Sequence, residues 1–200
     1  MASVSREELF RILDRSIADP ASAAEVEREV WRRCGADRAI FVSDLSGFTR
    51  LTRKHGIVRF LTVFRRANQV LTPILERHGG RCVKREADNH IYSYERVRDA
   101  VAAAREIVAA TAALDATLDE DDRIHPCIGI GFGRVLELRD DVFGDEVNIA
   151  FKLGEDVAGK REILLSDPAL AQLTREGAGV DAEPREEDIG GVLVRYHAVR

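Results

Sequence analysis

The feature that most limits the fold is a hydrophobic period that switches repeatedly from Ile40 onward. Short apolar blocks of strand length occur at Ala39–Ser43, Arg81–Glu86, His90–Tyr94, Cys127–Phe132, Arg134–Leu138, Ile163–Leu165 and Val192–Val199. Between them lie segments whose apolar residues recur at helical spacing. In the longest, Phe60, Leu61, Phe64, Leu71, Ile74 and Leu75 mark one face, and His78-Gly79-Gly80 ends it. Pro73 lies late in that helix, where a missing N–H predicts a kink. Ala100–Leu114 is Ala-rich and helical with Asp99 as its predicted N-cap, and Asp145–Val157 and Pro168–Thr174 are further helices. Tight turns join some of the strand pairs, so the sheet must be partly antiparallel. The pattern predicts an α/β chain, an α+β sandwich with helices packed on a mixed sheet.

Two helices precede this core. Ser5 and Glu8 have capping-box spacing, and Leu9, Ile12 and Leu13 follow at helical intervals. Asp19-Pro20 stops the first helix. The second begins after Ser22 and runs through Val26, Val30 and Trp31 to Gly35, a predicted C-cap. Residues 1–38 are therefore expected to be a helical leader, and 39–200 the main domain. The leader is either a dimerisation or regulatory element or a lid packed on the core, and amphipathic helices usually just pack.

Composition excludes several classes. Every apolar segment is interrupted by Arg, Glu or Asp, so no membrane span is expected, and MASVSREELF lacks the apolar block of a signal peptide. A net charge of −5 gives a nucleic-acid partner no electrostatic support. Cys34, Cys82 and Cys127 show no metal-ligand spacing and read as reduced, which places the chain in the cytoplasm. The acidic run Asp119–Asp122 reads as a solvated connection. Arg50, Arg53, Lys54 and His55, with Arg65 and Arg66, read as solvated helix faces.

Three places carry chemistry. Asp44 ends an apolar strand and opens into Leu45-Ser46-Gly47-Phe48-Thr49, where turn carbonyls add oxygen ligands for a hard cation. Asp88 stands at the turn between two strands. Were those strands neighbours of the first, Asp44 and Asp88 would converge on one or two divalent ions; singly, each reads as an ordinary turn aspartate. Lys84 alternates with Glu86 and Asp88, so Lys84 and Asp88 share a side. Farther on, Asn148 and Lys152 are four apart on a helix, a neutral donor and a cation suited to a phosphate-bearing ligand. Gly129, Gly131 and Gly133 mark a strand that permits close backbone approach.

Four ordered motifs then carry a resemblance: FVSDLSGFT (Phe41–Thr49), GGRCVKREAD (Gly79–Asp88), CIGIGFGRV (Cys127–Val135) and DVFGDEVNIAFKL (Asp141–Leu153), followed by ILLSD (Ile163–Asp167). Over roughly Ile40–Val199 the chain resembles the catalytic domain of class III nucleotidyl cyclases, the adenylyl and guanylyl cyclase family. The resemblance implies a ferredoxin-like, palm-type βαββαβ core with a mostly antiparallel sheet. It implies two divalent ions, Mg²⁺ or Mn²⁺, at Asp44, Asp88 and the Leu45 carbonyl. Lys84 and Asp141 match the purine-reading pair, and a Lys donor with an Asp acceptor fits adenine, so ATP is the implied substrate. Phe48 and Thr49 fall with the substrate-binding turn, Asn148 with the ribose-orienting residue, and Lys152 with the transition-state cation. Because the family builds its site from two subunits, a chain carrying both sets implies a homodimer, with a regulatory partner protein as one further route of control.

Three positions depart from the family pattern: Lys152 replaces an arginine, Ala87 replaces a glycine before Asp88, and Gly190-Gly191 replaces a Lys-Gly pair, with Arg195 as a nearby cation. Losing one phosphate-gripping contact costs about 10²- to 10³-fold in rate. Two readings follow, an adenylate cyclase producing cyclic AMP and a degenerate homology domain that binds a nucleotide or a partner without efficient turnover.

Overall fold

A computed structural model of the chain describes residues 4–86, 89–189 and 191–200. The leader forms α1 (Arg6–Ala18) and α2 (Ala23–Cys34). Ser5 caps α1 reciprocally: the Glu8 N–H donates to Ser5 Oγ at 3.2 Å and the Ser5 N–H donates to Glu8 Oε2 at 2.8 Å. Leu9 and Ile12 of α1 pack with Val26, Val30 and Cys34 of α2 on Leu138, and all six are buried. The Arg134 guanidinium lies 4.7 Å from the centre of the Trp31 ring, a second contact between leader and domain.

The central strand β1 (Gly35–Leu45) follows α2 directly, and α3 (Phe48–His55) and α4 (Ile57–Arg77) follow it. Next come β2 (Arg81–Glu86), β3 (Asn89–Tyr94), α5 (Val97–Asp115), β4 (Pro126–Glu137) and β5 (Val142–Phe143). The chain closes with α6 (Asp145–Phe151), a π-helical turn (Lys152–Val157), β6 (Ile163–Ser166), α7 (Asp167–Arg175), β7 (Ala182–Ile189) and β8 (Val192–Val199). Among the described residues eight strands make one sheet in the order β2-β3-β1-β4-β6-β8-β7, with β5 paired to β4. Among the described residues only β4 and β6 pair in parallel. The sheet is thus mostly antiparallel, as the motifs implied.

Alternation along β1 sorts the core onto two faces. Phe41 joins Tyr92, Ile128, Ile130 and Leu165 beneath α4, α5 and α7. Ile40 and Val42 turn the other way, onto Val147 and Ala150 of α6. That second contact needs glycine. A Cβ on Gly129 would collide with the Ala150 carbonyl, and one on Gly131 with the Glu146 carbonyl; one on Gly154 would sit 3.0 Å from the Val42 carbonyl oxygen. The strand therefore admits a helix backbone, as its glycine spacing predicted.

Several boundaries differ from the sequence pattern, each for a local reason. β4 is one continuous strand, because Gly133 and Arg134 stay in register with Arg38 and Asp37 of β1. β1 begins at Gly35 although its first four residues show no apolar signal. Helix α5 starts at Val97, and Asp99 is not its cap: the Glu176 carboxylate, from beyond α7, accepts the Val97 and Arg98 N–H groups at 3.1 and 2.8 Å. Polar β7, which contains Pro184, gave no strand signal, and it lies at the sheet edge where proline is tolerated. Helix α4 runs through Pro73 to Arg77. The acidic connection is tethered rather than solvated, since Asp121 meets Lys54 at 2.6 Å and His55 at 2.8 Å, and Asp122 meets Arg59 at 2.7 Å.

A charged knot fixes the exit of β4. Glu137 accepts from Arg38 (2.8 Å), Arg81 (2.8 and 3.1 Å) and Ser93 (2.6 Å), tying β4 to β1, β2 and β3. Burial raises the Glu137 pKa, but the hydrogen bonds from Ser93 and Arg81 and the charges of Arg81 and Arg38 outweigh it, and the net shift is downward. A depressed carboxyl stabilises the fold above its unfolded pKa, and that contribution disappears as pH falls through the folded value. Glu137→Gln should therefore lower stability at pH 7 by about 1–3 kcal/mol in urea unfolding. The gap from the parent should narrow below about pH 4. Gly131→Ala should cost about 1–3 kcal/mol by forcing α6 off β4; a urea midpoint unchanged from the parent would contradict the close packing.

Candidate active site

The end of β1 sets the first part of the site. Asp44 is half-buried and stands opposite Cys127 of β4. Leu45 is buried, and the Ser46 N–H donates to the His125 carbonyl at 3.0 Å, which pins the turn to the segment before β4. Gly47 holds φ +104°, a left-handed conformation that side chains resist, and so releases the chain into α3 at Phe48. Burial and the Asp44 charge push the Cys127 thiol up to about 11, so it is a packed thiol and not a nucleophile.

The β2–β3 hairpin lies beside β1, as a shared cation site would require. His90 is opposite Ser43, so the start of β3 and the end of β1 reach the same end of the sheet. Asp88 and Ala87 lie outside the described residues, as do the side chains of Phe48 and Thr49. His90 is fully buried and bonds Asn68 in the core, which makes it a packed polar residue. Among the described residues no group of three His, Cys, Asp or Glu side chains has metal-binding geometry. The donor among the described residues is the Asp44 carboxylate at the strand end, and a carboxylate oxygen suits a hard cation such as Mg²⁺ or Mn²⁺.

A second cluster forms where β2 meets the β4–β5 connection. A register shift between Cys82 and Lys84 makes a bulge in β2; bulges re-aim side chains. Lys84 Nζ then lies 3.4 Å from Asp141 Oδ1. The same oxygen accepts the Val142 N–H at 2.9 Å. The two residues that sequence motifs paired, 57 positions apart, are thus neighbours in one chain.

Helix α6 supplies the third cluster. Asn148 is exposed, and the Lys152 N–H donates to the Asn148 carbonyl, so the two sit one turn apart. The π-helical turn begins at Lys152, and within it Glu155 accepts from Asn89 Nδ2 at 2.5 Å, linking this end of α6 to the start of β3. π-turns widen a helix locally and are frequent at functional sites.

Sequence reasoning missed two groups of residues. Arg6, in the leader, reaches Asp141 Oδ2 at 3.4 Å; the separation of 135 residues left no local signal. A cavity of about 170 Å³ opens beside the Leu45–Gly47 turn, lined by Arg50, Arg123 and Lys160 together with Glu120 and Asp121. These cations adjoin the turn, whereas Arg195 lies on β8, two strands beyond β4, and faces Glu186 at 3.6 Å.

No protein-family model matches the chain. It is 31% identical over 165 residues to an adenylate cyclase of Streptomyces coelicolor, covering 82% of this chain and 40% of that protein. It is 30% identical over 129 residues to putative adenylate cyclase 3 of Rhizobium meliloti, covering 64% of this chain and 22% of that protein. The chain thus spans less than half the length of both. Among solved structures, an adenylate/guanylate cyclase/hydrolase from Silicibacter pomeroyi superposes with TM-score 0.68 at 23% identity, over 82% of this chain and 96% of that one. The adenylyl cyclase CyaB of P. aeruginosa superposes with TM-score 0.63 at 18% identity, over 83% of this chain and 95% of that one. With these relatives, the palm-type sheet and four motifs in order upon it, the chain belongs to the class III nucleotidyl cyclase family.

Proposed function

We propose that the protein is an adenylate cyclase, converting ATP to 3′,5′-cyclic AMP and pyrophosphate in a homodimer. The observation that carries this reading is the Lys84–Asp141 pair at 3.4 Å, a donor beside an acceptor, which matches adenine N1 and its amino group. Guanine presents the opposite pattern, an acceptor at O6 and a donor at N1.

Asp44 and Asp88 would hold the divalent ions, together with the Leu45 carbonyl. When bound, those ions acidify the ribose 3′-hydroxyl and offset triphosphate charge. Asn148, exposed on α6, orients the ribose, and Lys152 one turn later presents a cation to the α-phosphate oxygens. The 3′-oxygen forms a bond to the α-phosphorus, the bond to the bridging oxygen breaks, and pyrophosphate departs. Arg50, Arg123 and Lys160 lend positive charge beside the turn, in a chain that carries Gly190 in place of the family's lysine. The homodimer follows from one chain carrying both the carboxylate set and the base and ribose set. Such a domain works in the cytoplasm, and among the described residues no helix is long and apolar enough to cross a membrane.

A second reading, nucleotide binding without efficient turnover, rests on Lys152, whose ammonium lacks the planar fork of an arginine. A cyclic-nucleotide assay with ATP and GTP in parallel, each with Mn²⁺ and with Mg²⁺, separates the two. Cyclic AMP formation from ATP is expected, strongest with Mn²⁺ and abolished in Asp44→Ala. Lys152→Ala should lower kcat about 10²- to 10³-fold, and Lys152→Arg should raise it above the parent. ATP binding without product over long incubation would overturn the cyclase reading.

A further inference from the structure

The Asp141 carboxylate, the acceptor of the purine-reading pair, is already engaged on both oxygens. Oδ1 accepts the Val142 N–H at 2.9 Å and faces Lys84 at 3.4 Å, while Oδ2 faces Arg6 Nη1 at 3.4 Å. Its side chain keeps only 6% of its exposure, against 56% for Arg6. Among the described contacts of this carboxylate Oδ2 faces only Arg6, and it is the oxygen an incoming amino group would compete for. Arg6 and Lys84 stand at the same 3.4 Å, but Arg6 is the more solvated, 56% exposed against 26%, and the Val142 N–H is fixed by the backbone, so Arg6 is the donor most readily displaced.

The backbone around Arg6 holds it in that place. The Arg6 N–H donates to Asp140 Oδ1 at 2.8 Å, and the Arg139 N–H donates to the Val4 carbonyl at 2.8 Å. Val4 itself is buried against Leu138. The start of α1 is thus bound to the turn that carries Asp141, and the guanidinium can swing while the helix stays docked.

We propose that Arg6 is a specificity-determining residue of the purine subsite, competing with the adenine amino group for the Asp141 carboxylate. The inference rests on the reading of Lys84 and Asp141 as the base-reading pair. With Arg6 in place the subsite offers two cationic donors, Lys84 and Arg6, and such donors suit the O6 and N7 acceptors of guanine. With Arg6 removed it offers one donor and one open acceptor, the adenine pattern. Arg6 therefore narrows the preference for ATP over GTP, and the leader tunes the base subsite through one side chain.

The test compares the full chain with Arg6→Ala, Arg6→Gln and Arg6→Lys, and reads KM and kcat for ATP and GTP with Mn²⁺. The Arg6→Ala protein should show an ATP KM about two- to fivefold lower, the scale of an exposed ion pair, with kcat unchanged. Its ATP/GTP ratio of kcat/KM should rise by at least that factor, Arg6→Gln should behave alike, and Arg6→Lys should stay near the parent. A ratio unchanged in both neutral variants, or a weaker ATP affinity in them, overturns the proposal. Calorimetric titration of Mn²⁺-ATP and Mn²⁺-GTP into the same four proteins decides it without turnover. If cyclic nucleotide never forms yet the binding ratio shifts, the cyclase reading fails and this one stands. If neither nucleotide binds any of the four proteins, this one fails too. Thermal melting of each variant identifies loss of fold, and Arg6→Gln serves should Arg6→Ala unfold.

Discussion

Everything in the molecule depends on the contact between the α6 backbone and the glycine strand β4. Gly129 and Gly131 have no side chain toward α6, so the Ala150 and Glu146 carbonyls seat directly on the sheet. That approach buries Val147 and Ala150 against Ile40 and Val42 and fixes the position of Asn148 and Lys152. On the opposite face, α4, α5 and α7 hold β1 through Phe41 and its neighbours. The strand that presents Asp44 is thereby clamped from both sides. Core packing is intolerant of displacement, so residues at such a strand end are placed with little freedom.

Asp44, Asp141 and Lys84 differ in how they are held. Asp44 depends on a turn, and one left-handed glycine lets α3 begin immediately after it. Asp141 depends on charge, because the Glu137 knot fixes the exit of β4 four residues earlier. Lys84 depends on a bulge. The leader adds to the second of these, since Val4 and Arg6 dock on residues 138–141. A helical segment that packs on the core thus also touches Asp141 through Arg6.

Much of this was legible in the chain. The capping box at Ser5, the long amphipathic α4 and the glycine alternation of β4 announce themselves because local residues dictate them. The motif order placed Lys84 with Asp141 and Asn148 with Lys152, and the structure brings each of those pairs together. What stayed hidden depended on residues far away in sequence. The β7 strand is polar and exposed, with a proline, and only pairing with β8 makes it a strand. The cap of α5 comes from Glu176, about eighty residues on. The basic faces of α3 and α4 looked solvated until the acidic run at 119–122 folded onto them. Arg6 is the sharpest case, a leader residue whose partner lies 135 positions away, just past the end of β4.

The central claim is that the carboxylate set of one chain works with the base and ribose set of another. Complementation between two inactive variants tests it most directly. Asp44→Ala and Asn148→Ala proteins, each alone, should make almost no cyclic AMP. Mixed in equal amounts and allowed to exchange subunits, half of the dimers carry one intact site, so activity should return to about a quarter of the parent value. A mixture as inactive as its two components, with exchange verified, would contradict a site shared between subunits.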